Sequence, residues 1–187
     1  DRGAFIKDII SDNIMLGDIY MRAKELRVTA DMPRGVFVIR SLKKGESVPT
    51  DVIQAQFPDR QSDFVLSVGE GDVVLIRQMP EGSGIKELNK IAASVEESLR
   101  AGSDPTVVVG IGTIAIHLRD LAKSYKEAQI AIEVGKVFDT EKYVINYENL
   151  GIGRLIYQLP TTLCEMFLQE VFKKNPIDAL DKETLFT

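Results

Sequence analysis

The chain has 187 residues, of which 44% are hydrophobic, which suits one packed domain with appendages or two small domains. Its net charge is −5 with acids and bases well mixed, and this excludes the basic surface typical of a nucleic-acid-binding domain. No apolar run approaches the roughly 18 residues of a membrane span, and residues 1–10 lack the layout of a signal peptide. We therefore expect a cytoplasmic protein without a membrane partner.

Apolar residues recur at helical spacing in two segments before any strand. The two stripes are Phe5, Ile6, Ile9 and Ile10, and then Ile19, Tyr20, Ala23 and Leu26. The pattern predicts two helices. It fits a role in the core and equally a contact with a second copy or an adjacent domain, because an apolar stripe looks the same in both cases.

The next elements predict a strand, a short helix and a hairpin. Val36 to Ile39 is apolar at every position, which is typical of a central strand that is buried on both faces. Pro49 to Phe57 favours a short helix, with Thr50 or Ser47 as its cap. Two further apolar runs, near Phe64 to Val68 and Val73 to Gln78, predict the hairpin strands.

The second half predicts helices that alternate with strands. Ser83 can cap a helix that ends at Ala101 and Gly102. The later elements are a strand over 106–112, a long helix over 118–135, a strand over 142–147, and C-terminal helices over 150–159 and 162–175. This order predicts an α/β (α+β) fold with a central mixed sheet of about five strands, crossover helices, and additional N- and C-terminal helices.

The hairpin tip carries Gly69, Glu70, Gly71 and Asp72, which raises the question of a metal or phosphate site. Mg²⁺ prefers a complete shell of oxygen ligands, so its carboxylates must converge from more than one strand. The first strand continues into Arg40-Ser41 and contains no acid. We therefore expect a turn only, with glycines that adopt positive φ and with solvated acids, and no catalytic or metal-binding residue.

Two other motifs invite a chemical interpretation. Gly110-Ile111-Gly112 lacks the third glycine of a dinucleotide-binding loop, so close packing against a neighbour is favoured over a phosphate cradle. Ser124-Tyr125 on the long helix is expected to supply packing and a hydroxyl hydrogen bond rather than an acid–base pair.

The order of elements and the hairpin resemble the diguanylate cyclases, whose hairpin reads Gly-Gly-Asp-Glu-Phe where this chain has Gly69-Glu70-Gly71-Asp72-Val73. The resemblance is closer to the degenerate cyclase-like middle domain of bacterial transcription regulators of the carbohydrate-diacid and purine-catabolism type. It covers about residues 1–160. The matching runs are 109–112, 124–128 with Ala131 and Gly135, and 147–151 with Arg154-Leu155.

This resemblance implies a ferredoxin-like, nucleotidyl-cyclase-like sheet in a non-catalytic regulatory and dimerisation module, without a cofactor. We expect a helical segment over 1–31, the cyclase-like domain over 32–160, and the helical start of a linker over 161–187. The chain begins at Asp1 and stops in an unfinished pattern, so we expect further domains on both sides. A helix-turn-helix after residue 187 would contact DNA, and the effector is unknown.

Two alternatives stay open at this point. The first is a module that binds a nucleotide or small ligand in the cyclase-like cleft between the first strand and the hairpin. Its site residues would be Arg40, Ser41, Gly69, Glu70, Gly71 and Asp72. The second is an active nucleotidyl cyclase with unusual metal ligands.

Overall fold

The computed structural model describes residues 1–102, 106–137 and 142–151, with the backbone alone for Val137. The helices are α1 (Arg2–Ile10), α2 (Leu16–Leu26), α3 (Thr50–Gln56), α4 (Ile85–Ala101) and α5 (Leu121–Val137). The strands are β1 (Asp31–Ser41), β2 (Asp63–Val68), β3 (Asp72–Gln78), β4 (Val107–Ile111), β5 (Ala115–His117) and β6 (Val144–Asn146). The predicted helix over 162–175, most of the one over 150–159 and the linker over 161–187 lie outside the described residues.

The strands form one mixed sheet in the order β2-β3-β1-β4-β6, and β5 pairs with β1 beside this path. Among the described strands, all pairings are antiparallel except that of β4 with β6. Helix α3 connects β1 to β2 across β3, and α4 connects β3 to β4 across β1. This is the ferredoxin-like arrangement with β6 added, so the predicted fold class is confirmed.

Helices cover both faces of the sheet. Alternate residues of β1 explain why: Val36 and Val38 pack with α1, α2 and α5, while Phe37 and Ile39 pack with α3 and α4. All four side chains are buried. The uninterrupted apolar run therefore does belong to a central strand between two layers of helices, as predicted.

Helix α1 packs on the sheet, and α2 packs on α1 and on the turn at Leu118–Asp120. The apolar stripe of α1 is buried in the same cluster as Val36 and Val38, so the core role is the correct one of the two alternatives for α1. Helix α2 buries Ile19 and Ala23 but leaves Leu16 and Met21 about three-fifths exposed. Among the helices of the described ranges, none has the length and apolarity that a bilayer crossing requires.

Strand β1 starts five residues before the predicted Val36 and runs through Pro33. The register of β1 against β5 shifts between Asp31 and Arg34, and this irregularity accommodates a proline that cannot donate to the ladder. The Pro33 carbonyl instead accepts a hydrogen bond from the backbone N–H of Met79 at 2.9 Å. Strand β5 was not predicted because three residues are too few to show a periodic pattern.

The predicted N-terminal caps of α3 and α4 are wrong, whereas α4 does end at Ala101 and Gly102 as predicted. Helix α3 begins after Pro49 without a side-chain cap, and the hydroxyl of Thr50 lies 3.1 Å from that of Ser67 on β2. Before α4, the Ser83 hydroxyl donates to the Pro80 carbonyl, so it closes a turn and does not cap the helix. The Glu87 carboxylate accepts from the backbone N–H of Gly84 at 2.8 Å and satisfies this helix end.

The Gly-x-Gly run is a close-packing motif, as expected. A Cβ on Gly110 would lie 2.2 Å from the Ala128 carbonyl oxygen, and one on Gly112 would lie 2.1 Å from the Ser124 carbonyl oxygen. Only glycine lets β4 and the segment after it approach the backbone of α5 this closely.

Two side chains of α5 hold the same contact. The Ser124 hydroxyl donates to the Thr113 carbonyl at 2.6 Å, and the Glu127 carboxylate accepts from both the backbone N–H and the hydroxyl of Thr113. Both side chains are buried, so these bonds satisfy groups that water does not reach. The expectation of packing and a hydroxyl hydrogen bond at Ser124 is confirmed.

Asp63 at the start of β2 is 7% exposed, and burial raises the pKa of its carboxyl, although the charge of Arg77 opposes this. The Asp63 carboxyl therefore ionises at a lower pH in the unfolded chain than in the native state. As pH rises from the unfolded-state pKa through the native-state pKa, the native state loses stability. We expect Asp63→Asn to raise the free energy of unfolding at pH 7. The gain should shrink towards pH 4, as urea titrations across this range would measure, and a gain that grows on acidification would contradict it.

Candidate functional site

The end of β1 and the start of β3 meet at the opening of the cyclase-like cleft. The register pairs Ile39 with Val73, which places Arg40 opposite Asp72 one residue further on. Both side chains point to the face that α5 covers, because they alternate with the residues that pack on α4. The two predicted site residues are therefore direct cross-strand neighbours.

Arg40 contacts two carboxylates at once. Its Nε lies 3.1 Å from Asp72 Oδ1 and its Nη2 lies 2.9 Å from Asp72 Oδ2, which is the bidentate geometry of a strong charge-assisted pair. Its Nη1 donates to Glu133 Oε1 at 2.8 Å. We call Arg40, Asp72 and Glu133 the Arg40 cluster.

Glu133 reaches this cluster from α5. It lies eight residues after Tyr125 and four after Gln129, so the three side chains share one stripe of the helix. The Gln129 amide donates to the Tyr125 hydroxyl at 3.2 Å. The polar stripe of α5 thus runs along the end of β1 and the hairpin.

The three members of the cluster are partly exposed. The exposed fractions are 29% for Arg40, 20% for Asp72 and 36% for Glu133. The hydrogen bond that Arg40 donates to Asp72 is the largest cause that raises the pKa of Arg40, and the charges of Asp72 and Glu133 add to it. Burial, followed by the charge of Asp72, raises the pKa of the Tyr125 hydroxyl, so this phenol stays neutral at pH 7.

The hairpin tip is a turn, as predicted for its glycines. Gly69 and Gly71 have φ values of 64° and 153°, which favour glycine, and Glu70 is exposed. The prediction that Asp72 is a solvated charge is wrong, because its carboxylate is held by Arg40. The difference arises from the cross-strand register, which a single strand's sequence does not show.

The loop before α3 lies against the hairpin. The backbone N–H of Val48 donates to the Gly71 carbonyl at 3.2 Å, and a Cβ on Gly71 would approach the Glu46 carbonyl oxygen to 3.3 Å. The sequence suggested a ligand site in the cleft between the first strand and the hairpin. The bond of Val48 to Gly71 and the bonds of Arg40 to Asp72 join the hairpin to the other side of this cleft.

Ser41, the remaining predicted site residue, turns away from the hairpin. Its hydroxyl lies within hydrogen-bond distance of the Lys43 backbone, at 3.2 Å from the nitrogen. Arg40 and Ser41 also line a cavity of about 320 Å³ that faces α5 and β6 and includes no hairpin residue. The structure therefore brings Arg40 and Asp72 together, and it places Ser41 and Glu70 apart from them.

A divalent cation does not fit the Arg40 cluster. Asp72 and Glu133 do converge from two elements, a strand and helix α5, which the sequence does not predict. The guanidinium lies between them, however, and a cation there would meet like charge at contact distance. In the described part of the chain, no group of three acidic, histidine or cysteine residues is arranged to hold a metal ion.

Sequence reasoning missed Glu133. Its signal is the spacing of Tyr125, Gln129 and Glu133 at intervals of four, a polar stripe on a helix that otherwise buries Ala128, Ala131 and Ile132. A stripe of this kind predicts polar partners on the sheet below it. It does not identify them, since the crossing of α5 over β1 is a tertiary feature.

Comparison with known families agrees with this architecture. A family model described as a GGDEF-like domain matches residues 12–134, which extend from the segment before α2 into α5 and include the hairpin and Glu133. No curated protein sequence is significantly similar to the chain. With about two-thirds of its length matched and a sheet of the expected order, the chain belongs to the family of GGDEF-like domains.

Proposed function

We propose that this GGDEF-like domain is a non-catalytic regulatory and dimerisation module of a bacterial transcription regulator. It relays an effector signal to a DNA-binding domain that lies outside the sequence. The single observation that supports the non-catalytic part is the position of Arg40, whose guanidinium bonds Asp72 and Glu133 at 2.9 and 2.8 Å.

The reason is electrostatic. Phosphoryl transfer from a nucleoside triphosphate uses divalent cations to neutralise charge on the phosphates, and these need free carboxylates. Here both carboxylates are bonded to one guanidinium, a cation that is covalently part of the fold. Mg²⁺ would have to displace a guanidinium that makes three close contacts, and it would then share the site with a residual positive charge.

The regulatory part rests on the resemblance to transcription regulators of the carbohydrate-diacid and purine-catabolism type. The acidic net charge of −5 supports a separate DNA-binding domain, because this chain does not present a basic surface. Exposed apolar side chains on α2, including Leu16 and Met21, support association with a second copy. Sedimentation at two concentrations would test the dimer.

The cyclase-like cleft as a nucleotide site is the less favoured alternative. The bonds of Arg40 to Asp72 and of Val48 to Gly71 span it, so a ligand must first break both. Calorimetry with guanine nucleotides tests this directly, and heat at millimolar ligand would favour the alternative.

We expect no cyclic or linear dinucleotide product when the protein is incubated with GTP or ATP and either Mg²⁺ or Mn²⁺. Chromatography of the reaction, with an active diguanylate cyclase as positive control, measures this. Product above the blank that disappears in Asp72→Ala would refute the non-catalytic proposal. Product that persists in Asp72→Ala would indicate a contaminating enzyme, and the assay is then repeated on further purified protein.

A further inference from the structure

A groove of about 730 Å³ lies on the face of the sheet opposite to the Arg40 cluster. It runs between the end of α3 and the first half of α4, above the end of β3. Its volume is in the range of sites that hold small organic ligands. The cyclase-like cleft and this groove are separate, because their lining residues belong to opposite faces of the sheet.

The floor and walls of the groove are apolar. Phe57 and Met79 are buried, and Met32 and Ile91 are partly buried beside them. Methionine side chains adapt their shape to what they contact, so two of them make a wall that fits a flat or irregular body.

Two cations line the groove, each with a carboxylate nearby: Asp63 is the cross-strand neighbour of Arg77, and the charge of Lys90 acts on Glu87. The Arg77 guanidinium lies over the Phe57 ring, 4.8 Å from its centroid, and Lys90 projects from α4. Within the described residues neither forms an ion pair at 4.0 Å or less, although the charge of Arg77 does act on buried Asp63. The carboxylate of Glu87, which also lines the groove, is held by the backbone N–H of Gly84.

A buried acceptor adds a directional requirement. The Gln56 amide donates to the Ser94 hydroxyl at 2.5 Å and so bridges α3 to α4 across the groove. Its Oε1 is buried and has no donor. An unsatisfied buried carbonyl costs roughly 1–3 kcal/mol, so a ligand that donates a hydrogen bond to Oε1 once the Gln56 amide turns toward the groove would recover that free energy.

We infer that this groove binds a small organic anion with a flat apolar body and a hydrogen-bond donor. The anionic group contacts Arg77 and Lys90, the body packs on Met79 and Ile91, and the donor satisfies Gln56. The site goes beyond the proposed regulatory function and does not depend on it, because it uses no residue of the Arg40 cluster.

Two probes that combine these features are 4-hydroxybenzoate and 4-hydroxyphenyl phosphate, and they differ in the anionic group. We expect amide chemical shifts at the end of α3, the end of β3 and the first half of α4 to move on titration to about 10 mM, a range that detects millimolar affinity. The uncharged methyl ester of 4-hydroxybenzoate should bind at least about fivefold more weakly, because it loses the charge interaction.

The variants are chosen to separate binding from folding. Lys90→Gln and Arg77→Gln should each weaken binding about three- to tenfold, while Lys86→Gln, on the same helix but outside the groove, should not. Lys90 is exposed, so Lys90→Gln should keep the fold intact. It therefore still tests the inference if Arg77→Gln does not fold. The inference would be overturned if neither probe moved the amide shifts. It would also be overturned if the ester bound as tightly as 4-hydroxybenzoate and Lys90→Gln bound the probes as tightly as the wild-type protein. Either result would leave the proposed function standing.

Discussion

Gly112→Ala is expected to destabilise the domain by more than about 3 kcal/mol, the upper end of what overpacking usually costs. The added Cβ would lie 2.1 Å from the Ser124 carbonyl oxygen and 2.4 Å from its hydroxyl oxygen. The first of these atoms is backbone, so no rotamer change relieves the contact, and α5 must move away from the sheet. Such a movement also breaks the bonds of Ser124 and Glu127 to Thr113.

Urea unfolding followed by circular dichroism measures this loss, and matched glycine substitutions control for it. Gly17→Ala in α2 meets no atom within 4 Å and should stabilise by up to roughly 1 kcal/mol. Gly35→Ala meets the end of the flexible Leu88 side chain at 2.6 Å, so its cost should be intermediate. Aggregation or a non-cooperative transition in Gly112→Ala alone agrees with the expectation, whereas an unchanged midpoint contradicts it.

The same contact shows how far the sequence predicted the fold. The sequence predicts close packing for Gly110-Ile111-Gly112 and a hydroxyl hydrogen bond for Ser124, but it does not predict that the two contact each other. Their relation was not visible, since Ser124 lies 11 residues after Thr113 and only the tertiary fold brings the two together. Element type was predictable because apolar periodicity is local, while pairing between elements depends on how they are arranged in space.

The start of β1 and the N-terminal caps of α3 and α4 differ from the predictions because neighbouring segments change what these residues do. Pro33 and Gly35 are strong strand breakers on average, yet they lie within β1 because a register shift accommodates the proline. Thr50 and Ser83 are good capping residues by type. Each hydroxyl has another partner nearby, Ser67 and the Pro80 carbonyl respectively, and these alternatives are not encoded in the helix's own sequence.

The candidate site was half predictable. The sequence shows that the first strand offers Arg40 and no acid, but it predicts a solvated Asp72 and does not identify Glu133 as a partner. Cross-strand register and the path of α5 decide both points. An arginine on one strand and an acid on another form a pair only if the two strands are neighbours in the sheet and their register places the residues opposite each other.

Replacing Arg40 is the second substitution with a large expected effect. Arg40→Ala leaves two carboxylates side by side without a cation. Breaking a fully buried pair costs about 3–5 kcal/mol, and the partial exposure of this cluster reduces the expected loss to about 1–2 kcal/mol. Lys43→Ala removes an exposed pair with Glu46 at 3.9 Å and should cost less than about 0.5 kcal/mol.

The variant should also gain a response to Mg²⁺ that the wild-type protein lacks. If Arg40 is what keeps Mg²⁺ away from Asp72 and Glu133, removing the arginine leaves a site rich in carboxylate oxygens. Mg²⁺ at ten times its dissociation constant would then stabilise the folded variant by about 1.4 kcal/mol. Thermal unfolding with and without about 10 mM Mg²⁺ measures the response, since weak two-carboxylate sites bind in the millimolar range.

Glu133→Gln in the Arg40→Ala background distinguishes this explanation from a general salt effect. The double variant should lose the Mg²⁺ response, because one carboxylate cannot hold the ion, and it should regain part of the lost stability, because the repulsion with Asp72 is gone. A wild-type protein that is stabilised by Mg²⁺ as much as Arg40→Ala would show that the guanidinium does not exclude the ion. The physical basis of the non-catalytic proposal would then be lost, whatever the turnover assay shows.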